Sequence, residues 1–142
     1  MLEKIRAQWT KVIHPFALGL LKLGVTPDMV TWTGTIATII VALVFFPQGW
    51  LWQGVAVLAL FIFSDSLDGT MARESGSSSK WGAFLDSTLD RLADGAIFGG
   101  IAIYYAAQPD GLLWCAVAIG ALVFALVTSY SKARGESVGI EV

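Results

Sequence analysis

Charge is scarce along this sequence, and six of its eleven acidic residues gather in one stretch. Asp65, Asp68, Asp86, Asp90 and Asp94 all fall within residues 64–95, SDSLDGTMARESGSSSKWGAFLDSTLDRLADG, between hydrophobic runs that carry almost no ionised side chains. Acids beside long apolar helices are costly unless a chemical task keeps them there. The runs themselves restrict the fold. With 56% hydrophobic and 14% charged residues and a mean hydropathy of +0.69, the chain is too apolar for an ordinary soluble domain. It reads as a single all-α, membrane-embedded domain over residues 1–142, a polytopic helix bundle.

Within residues 1–23, Leu2, Ile5, Trp9, Val12, Ile13 and Phe16 recur at three- and four-residue steps, with Glu3, Lys4, Arg6 and Lys11 on other faces. This pattern predicts an amphipathic helix lying in the membrane interface, bent or broken at Pro15. No continuous apolar core or small-residue cleavage site marks these residues as a removable signal. Gly24 is placed to close that helix, and Thr26-Pro27-Asp28 to open the next, with Thr26 as N-cap. Capping alone is a sufficient account of Thr26 and Asp28.

Four spans follow, at 29–46, 50–68, 82–107 and 112–131, separated by Pro47-Gln48-Gly49, the polar connector 76–80 and Gln108-Pro109-Asp110-Gly111. Lys4, Arg6, Lys11, Lys22, Arg73, Lys80, Lys132 and Arg134 all fall on one side of this topology, and the turns at 47–49 and 108–111 have no basic residue. The positive-inside rule therefore sets both termini and the acidic stretch toward the cytoplasm. A net charge of −2 without a Lys/Arg cluster argues against nucleic acid as a partner. Cys115 and His14, each the only residue of its kind, read as packing or interfacial residues.

Asp86, Asp90 and Asp94 are four residues apart and form a stripe on one helix; Asp65 and Asp68 share a face at the end of the preceding one. An antiparallel pairing of these helices would bring the carboxylates together, where they repel unless neutralised. Convergent carboxylates without His or Cys favour a hard divalent ion, Mg²⁺ or Mn²⁺, over zinc. Gly69, Ala72 and Gly82 leave room for a ligand, and Arg73 could pair with an acid or reach a phosphate. Ser77, Ser78 and Ser79 read equally well as a flexible link. Intramembrane acids also mark ion pathways, so a cation transporter fragment and a purely structural bundle are alternatives.

The pattern Asp65-x₂-Asp68-Gly69-x₂-Ala72-Arg73-x₈-Gly82-x₃-Asp86-x₃-Asp90 reproduces the signature of the CDP-alcohol phosphotransferase family, which this chain resembles over nearly all its length. The resemblance implies an enzyme that transfers a phosphatidyl group from CDP-diacylglycerol to an alcohol and releases CMP. It implies that Asp65, Asp68, Asp86 and Asp90 hold Mg²⁺ or Mn²⁺, two ions in all, and that Asp90 is also the base. Asp28, Thr31, Gly69, Ala72, Arg73, Ser79 and Gly82 would border the CDP donor.

Within the family, segments 25–31, 82–100 and 129–139 look most like actinobacterial phosphatidylinositol-phosphate synthases. This implies inositol phosphate as acceptor, with Ser129, Lys132 and Arg134 binding its phosphate; glycerol 3-phosphate is the alternative acceptor. Lys132 and Arg134 also suit plain membrane anchoring. Asp94 lies outside the signature and is expected to pair with Arg91 or to support the site from behind. Family members usually have six spans and form homodimers, so four spans here imply that about the last third of a typical member is lacking.

Overall fold

A computed structural model describes residues 2–76 and 79–140, with the side chains of 2–11 and 62–65 outside the description. The order is α1 (Leu2–Lys22), α2 (Pro27–Phe45), α3 (Leu51–Glu74), α4 (Lys80–Ala106) and α5 (Leu112–Ser137), with no strand among the described residues. The bundle is therefore all-α, and the expected segments 29–46, 50–68, 82–107 and 112–131 each fall on a helix. Their limits shift. In particular, α3 continues to Glu74, so the signature residues Asp68 to Arg73 are helical.

Two local expectations can be followed closely. Gly24, at φ +80°, adopts the left-handed geometry that ends α1, and the Thr26 hydroxyl accepts from the Met29 N–H at 3.3 Å to cap α2, with Pro27 in its first turn. Pro15, in contrast, does not break α1, which runs unbroken through it. Ile13 and Ala17 on either side are buried while Pro15 is exposed. The missing hydrogen bond therefore falls away from the packed face, where it disturbs least. Ser77 and Ser78, read as part of the connector, lie outside the described residues.

Packing follows a simple plan. Helix α2 packs on both α3 and α4, α4 packs on α5, and α1 packs on α3. Among the described residues α3 and α4 do not pack on each other, so the direct pairing expected of the two acid-bearing helices is replaced by an arrangement in which each leans on α2. Ala42 of α2, Phe46 just after it and Ala96 of α4 form the buried knot, with Leu51 and Leu58 of α3 and Ile97 and Ile101 of α4 around it. Ala96 and Gly100 give α4 a small-residue seam. A Cβ on Gly100 would stand 2.5 Å from the Ala42 carbonyl oxygen, so only glycine permits this approach. At the other end His14 Nε2 lies 3.2 Å from Glu74 Oε1, linking α1 to the last residue of α3.

The outside suits lipid. Helices α2, α3 and α5 are long and apolar enough to cross a membrane, and little of α5 is buried. Helix α4 has the length, but Asp86, Asp90, Arg91 and Asp94 crowd its first half, so among the described residues three helices are apolar over a full crossing length. Aromatic residues edge the turns: Phe45 and Trp50 meet edge-on at 5.7 Å between α2 and α3, and Tyr105 and Trp114 lie 6.1 Å apart between α4 and α5. Such rims are typical of the membrane–water boundary.

Candidate active site

Because α3 and α4 are separated by α2, a cleft of about 270 Å³ opens between them, with the start of α2 as its floor. Three short helical faces line it. Pro27, Asp28 and Thr31 come from α2; Asp68, Gly69, Ala72 and Arg73 from the end of α3; Ser79, Gly82, Ala83 and Asp86 from the start of α4. On α4 these positions follow the three- and four-residue steps of one face. Extending that period from Gly82 and Asp86 back to Ser79 would have found Ala83, which sequence reasoning missed; Pro27 was read only as a helix starter.

All the residues expected along the donor, Asp28, Thr31, Gly69, Ala72, Arg73, Ser79 and Gly82, line this one cleft together with Asp68 and Asp86. Asp90 follows Asp86 by one turn but does not line it; its Oδ2 lies 3.6 Å from an Arg91 Nη. Asp65 belongs to α3, but its side chain lies outside the described residues. Ser129, Lys132 and Arg134 stand on α5 apart from the cleft, and Arg134 donates to Ser137 Oγ at 3.3 Å. Asp94 forms an ion pair with Arg91, Oδ2 to Nε 3.1 Å. The Arg91 Nε–H finds no well-aligned acceptor even so, and the contact is one of charge proximity more than of directed hydrogen bonding.

Local hydrogen bonds fix the cleft walls. The Ser79 hydroxyl accepts from the Gly82 N–H at 2.9 Å and caps α4. Asp68 is 7% exposed, and its Oδ2 accepts the Thr31 hydroxyl at 2.5 Å. Buried Thr70 donates to the Ser66 carbonyl at 2.7 Å and accepts from Arg73 Nη2 at 3.0 Å, which draws the guanidinium back along α3 over Gly69.

The two signature glycines are not forced by the protein's own packing. A Cβ at Gly69 would approach nothing closer than Arg73 Nη1 at 3.6 Å, and one at Gly82 nothing closer than Ser79 Oγ at 3.5 Å. Both are ordinary contacts. What the missing side chains do is widen the cleft.

Among the described residues no three acidic, histidine or cysteine side chains converge into a ready metal site. The donors along the cleft nevertheless match a hard divalent cation: Asp28, Asp68 and Asp86 offer carboxylate oxygens, with no His or Cys lining it.

Comparison with known proteins agrees with this layout. Residues 24–138 match the family model described as CDP-alcohol phosphatidyltransferase. The chain is 57% identical over 141 residues to a phosphatidylinositol phosphate synthase of Cutibacterium acnes, covering 99% of this chain and 68% of that protein. It is 55% identical over 143 residues to one of Streptomyces avermitilis, covering 100% of this chain and 59% of the relative. The crystal structure of Mycobacterium tuberculosis phosphatidylinositol phosphate synthase with CDP-DAG bound matches with a TM-score of 0.87 at 43% identity, over 91% of this chain and 65% of that one. The form of the same enzyme in complex with manganese and citrate matches at 0.85 and 43%, over 89% and 61%. The chain thus spans roughly three-fifths to two-thirds of the length of these relatives. With the signature, the all-helical bundle and the cleft in agreement, the chain belongs to the CDP-alcohol phosphatidyltransferase family.

Proposed function

We propose that the chain carries the donor and metal half of a phosphatidylinositol phosphate synthase, which transfers a phosphatidyl group from CDP-diacylglycerol to inositol phosphate and releases CMP. One observation carries this reading: a single cleft combines Asp68 and Asp86 with Arg73 and with two glycines, Gly69 and Gly82, whose absent side chains the protein's packing does not demand. That is acid for a cation, a cation for phosphate, and space for a ligand. CDP-DAG and manganese in the related Mycobacterium structures support it.

In this reading Asp65, Asp68, Asp86 and Asp90 hold two Mg²⁺ or Mn²⁺ ions. When bound, such ions neutralise the diphosphate and stabilise the departing CMP. Asp28, Thr31, Gly69, Ala72, Arg73, Ser79 and Gly82 border the cytidine diphosphate, with the Arg73 guanidinium as the positive group for its phosphates. The Asp90 carboxylate takes the proton from the acceptor hydroxyl, whose oxygen forms the new bond to the β-phosphorus as the bond from that phosphorus to CMP breaks. Ser129, Lys132 and Arg134 receive the acceptor's phosphate.

The fold supports that last assignment. Helices α4 and α5 form a hairpin about residues 107–111, and Asp86 and Lys132 lie equally far from it along their helices, about 30 Å at 1.5 Å per residue. An antiparallel pairing of the two helices would bring them to similar depths. The basic residues near this end favour a cytoplasmic opening, and a homodimer is the assembly we infer from the family. The test is to supply membranes containing the chain with CDP-diacylglycerol, Mg²⁺ and either inositol phosphate or glycerol 3-phosphate, and to follow CMP release. Inositol phosphate should be the preferred acceptor; preference for glycerol 3-phosphate would overturn the assignment.

A further inference from the structure

Thr31 stands on α2, and its hydroxyl has one proton to donate. Two acceptors lie within reach, the Pro27 carbonyl at 3.2 Å and Asp68 Oδ2 at 2.5 Å. A hydroxyl bonded to a carboxylate is both shorter and stronger than one bonded to a neutral carbonyl, so the proton belongs to Asp68. The bond joins two helices between a buried carboxylate and a half-buried hydroxyl, where shielding from water strengthens it. Resemblance alone assigns Thr31 to the donor. The geometry adds a partner within the chain, Asp68.

We propose that Thr31, besides bordering the donor, is a positioning residue for the cation site: its hydroxyl donates to Asp68 and fixes the orientation of that carboxylate. The inference rests on the reading of Asp68 as a metal ligand. Groups that orient metal-binding carboxylates by hydrogen bonds commonly change metal affinity by about 10–100-fold when removed. Valine keeps the shape of threonine and lacks the hydroxyl; serine keeps the hydroxyl and lacks the methyl.

The experiment measures Mn²⁺ binding by electron paramagnetic resonance to the chain in lipid nanodiscs, with no nucleotide or lipid donor added. Thr31→Val should raise the Mn²⁺ dissociation constant by about 10-fold or more, and Thr31→Ser should keep the original affinity. Undiminished Mn²⁺ affinity in Thr31→Val overturns the proposal. Should valine prevent folding, Thr31→Ala removes the hydroxyl without added branching and is judged by the same Mn²⁺ affinity. Asp68→Asn separates the layers: if it too binds Mn²⁺ normally, the ligand assignment itself fails, whereas loss in Asp68→Asn with none in Thr31→Val removes only the role of Thr31.

Discussion

Two neighbouring glycines on α4 should respond oppositely to the same substitution. Around Gly99 nothing beyond its own helical backbone lies within 4 Å of where a Cβ would stand, whereas at Gly100 that atom would sit 2.5 Å from the Ala42 carbonyl oxygen and 3.3 Å from the Phe46 Cβ. Replacing glycine by alanine inside a helix gains about 0.5–1 kcal/mol, and this gain is common to both variants. At Gly100 it is opposed by a clash with backbone, which cannot rotate away. To lengthen the contact from 2.5 Å to the 3.0 Å that real Cβ atoms require, α2 and α4 must part locally by about 0.5 Å. Overpacking of this kind costs about 1–3 kcal/mol. Since the propensity gain cancels between the variants, Gly99→Ala should be more stable than Gly100→Ala by about 1–3 kcal/mol. Reversible unfolding by sodium dodecyl sulfate in mixed micelles, followed by circular dichroism, measures the difference. Equal stabilities, or a more stable Gly100→Ala, would refute the claim that the α2–α4 seam depends on the bare Gly100 backbone.

Two further outcomes concern the chemistry. Asp90→Asn should leave helix content intact and lower CMP release by about 10²–10⁴-fold, the usual contribution of a positioned base; full activity in this variant would remove the base assignment. Lys132→Ala should raise the KM for inositol phosphate well above any change in the KM for CDP-diacylglycerol, and steady-state kinetics showing equal shifts would mark Lys132 as a membrane anchor only.

Much of the fold was legible in local chemistry. Apolar runs of crossing length located α2, α3 and α5, and Gly24, Thr26 and Pro27 marked a helix boundary because their roles depend on backbone geometry within a few residues. The cleft was legible for the same reason: the spacings of Asp68, Gly69, Ala72 and Arg73, and of Gly82 and Asp86, each specify one helical face. What spacing cannot specify is the partner of a face. The insertion of α2 between α3 and α4 depends on the close approach at Gly100, a property of two helices together. That α1 continues through Pro15 and does not break there was not legible for a related reason, since the cost of the missing hydrogen bond depends on which side of α1 is packed. The Thr31 hydroxyl likewise could have had several acceptors, and only tertiary placement selects Asp68.

Helix α2 brings a single acidic residue, Asp28, to the site. As the shared backing of α3 and α4, however, it works as a gauge: its thickness at the crossings sets the aperture between the two walls. Substitutions that change the bulk of its packed faces, such as at Gly34 or Ala42, which are buried, would reset that aperture with every signature residue still in place. Selection on the spacing of the acids therefore reaches into a helix that the signature leaves entirely unspecified.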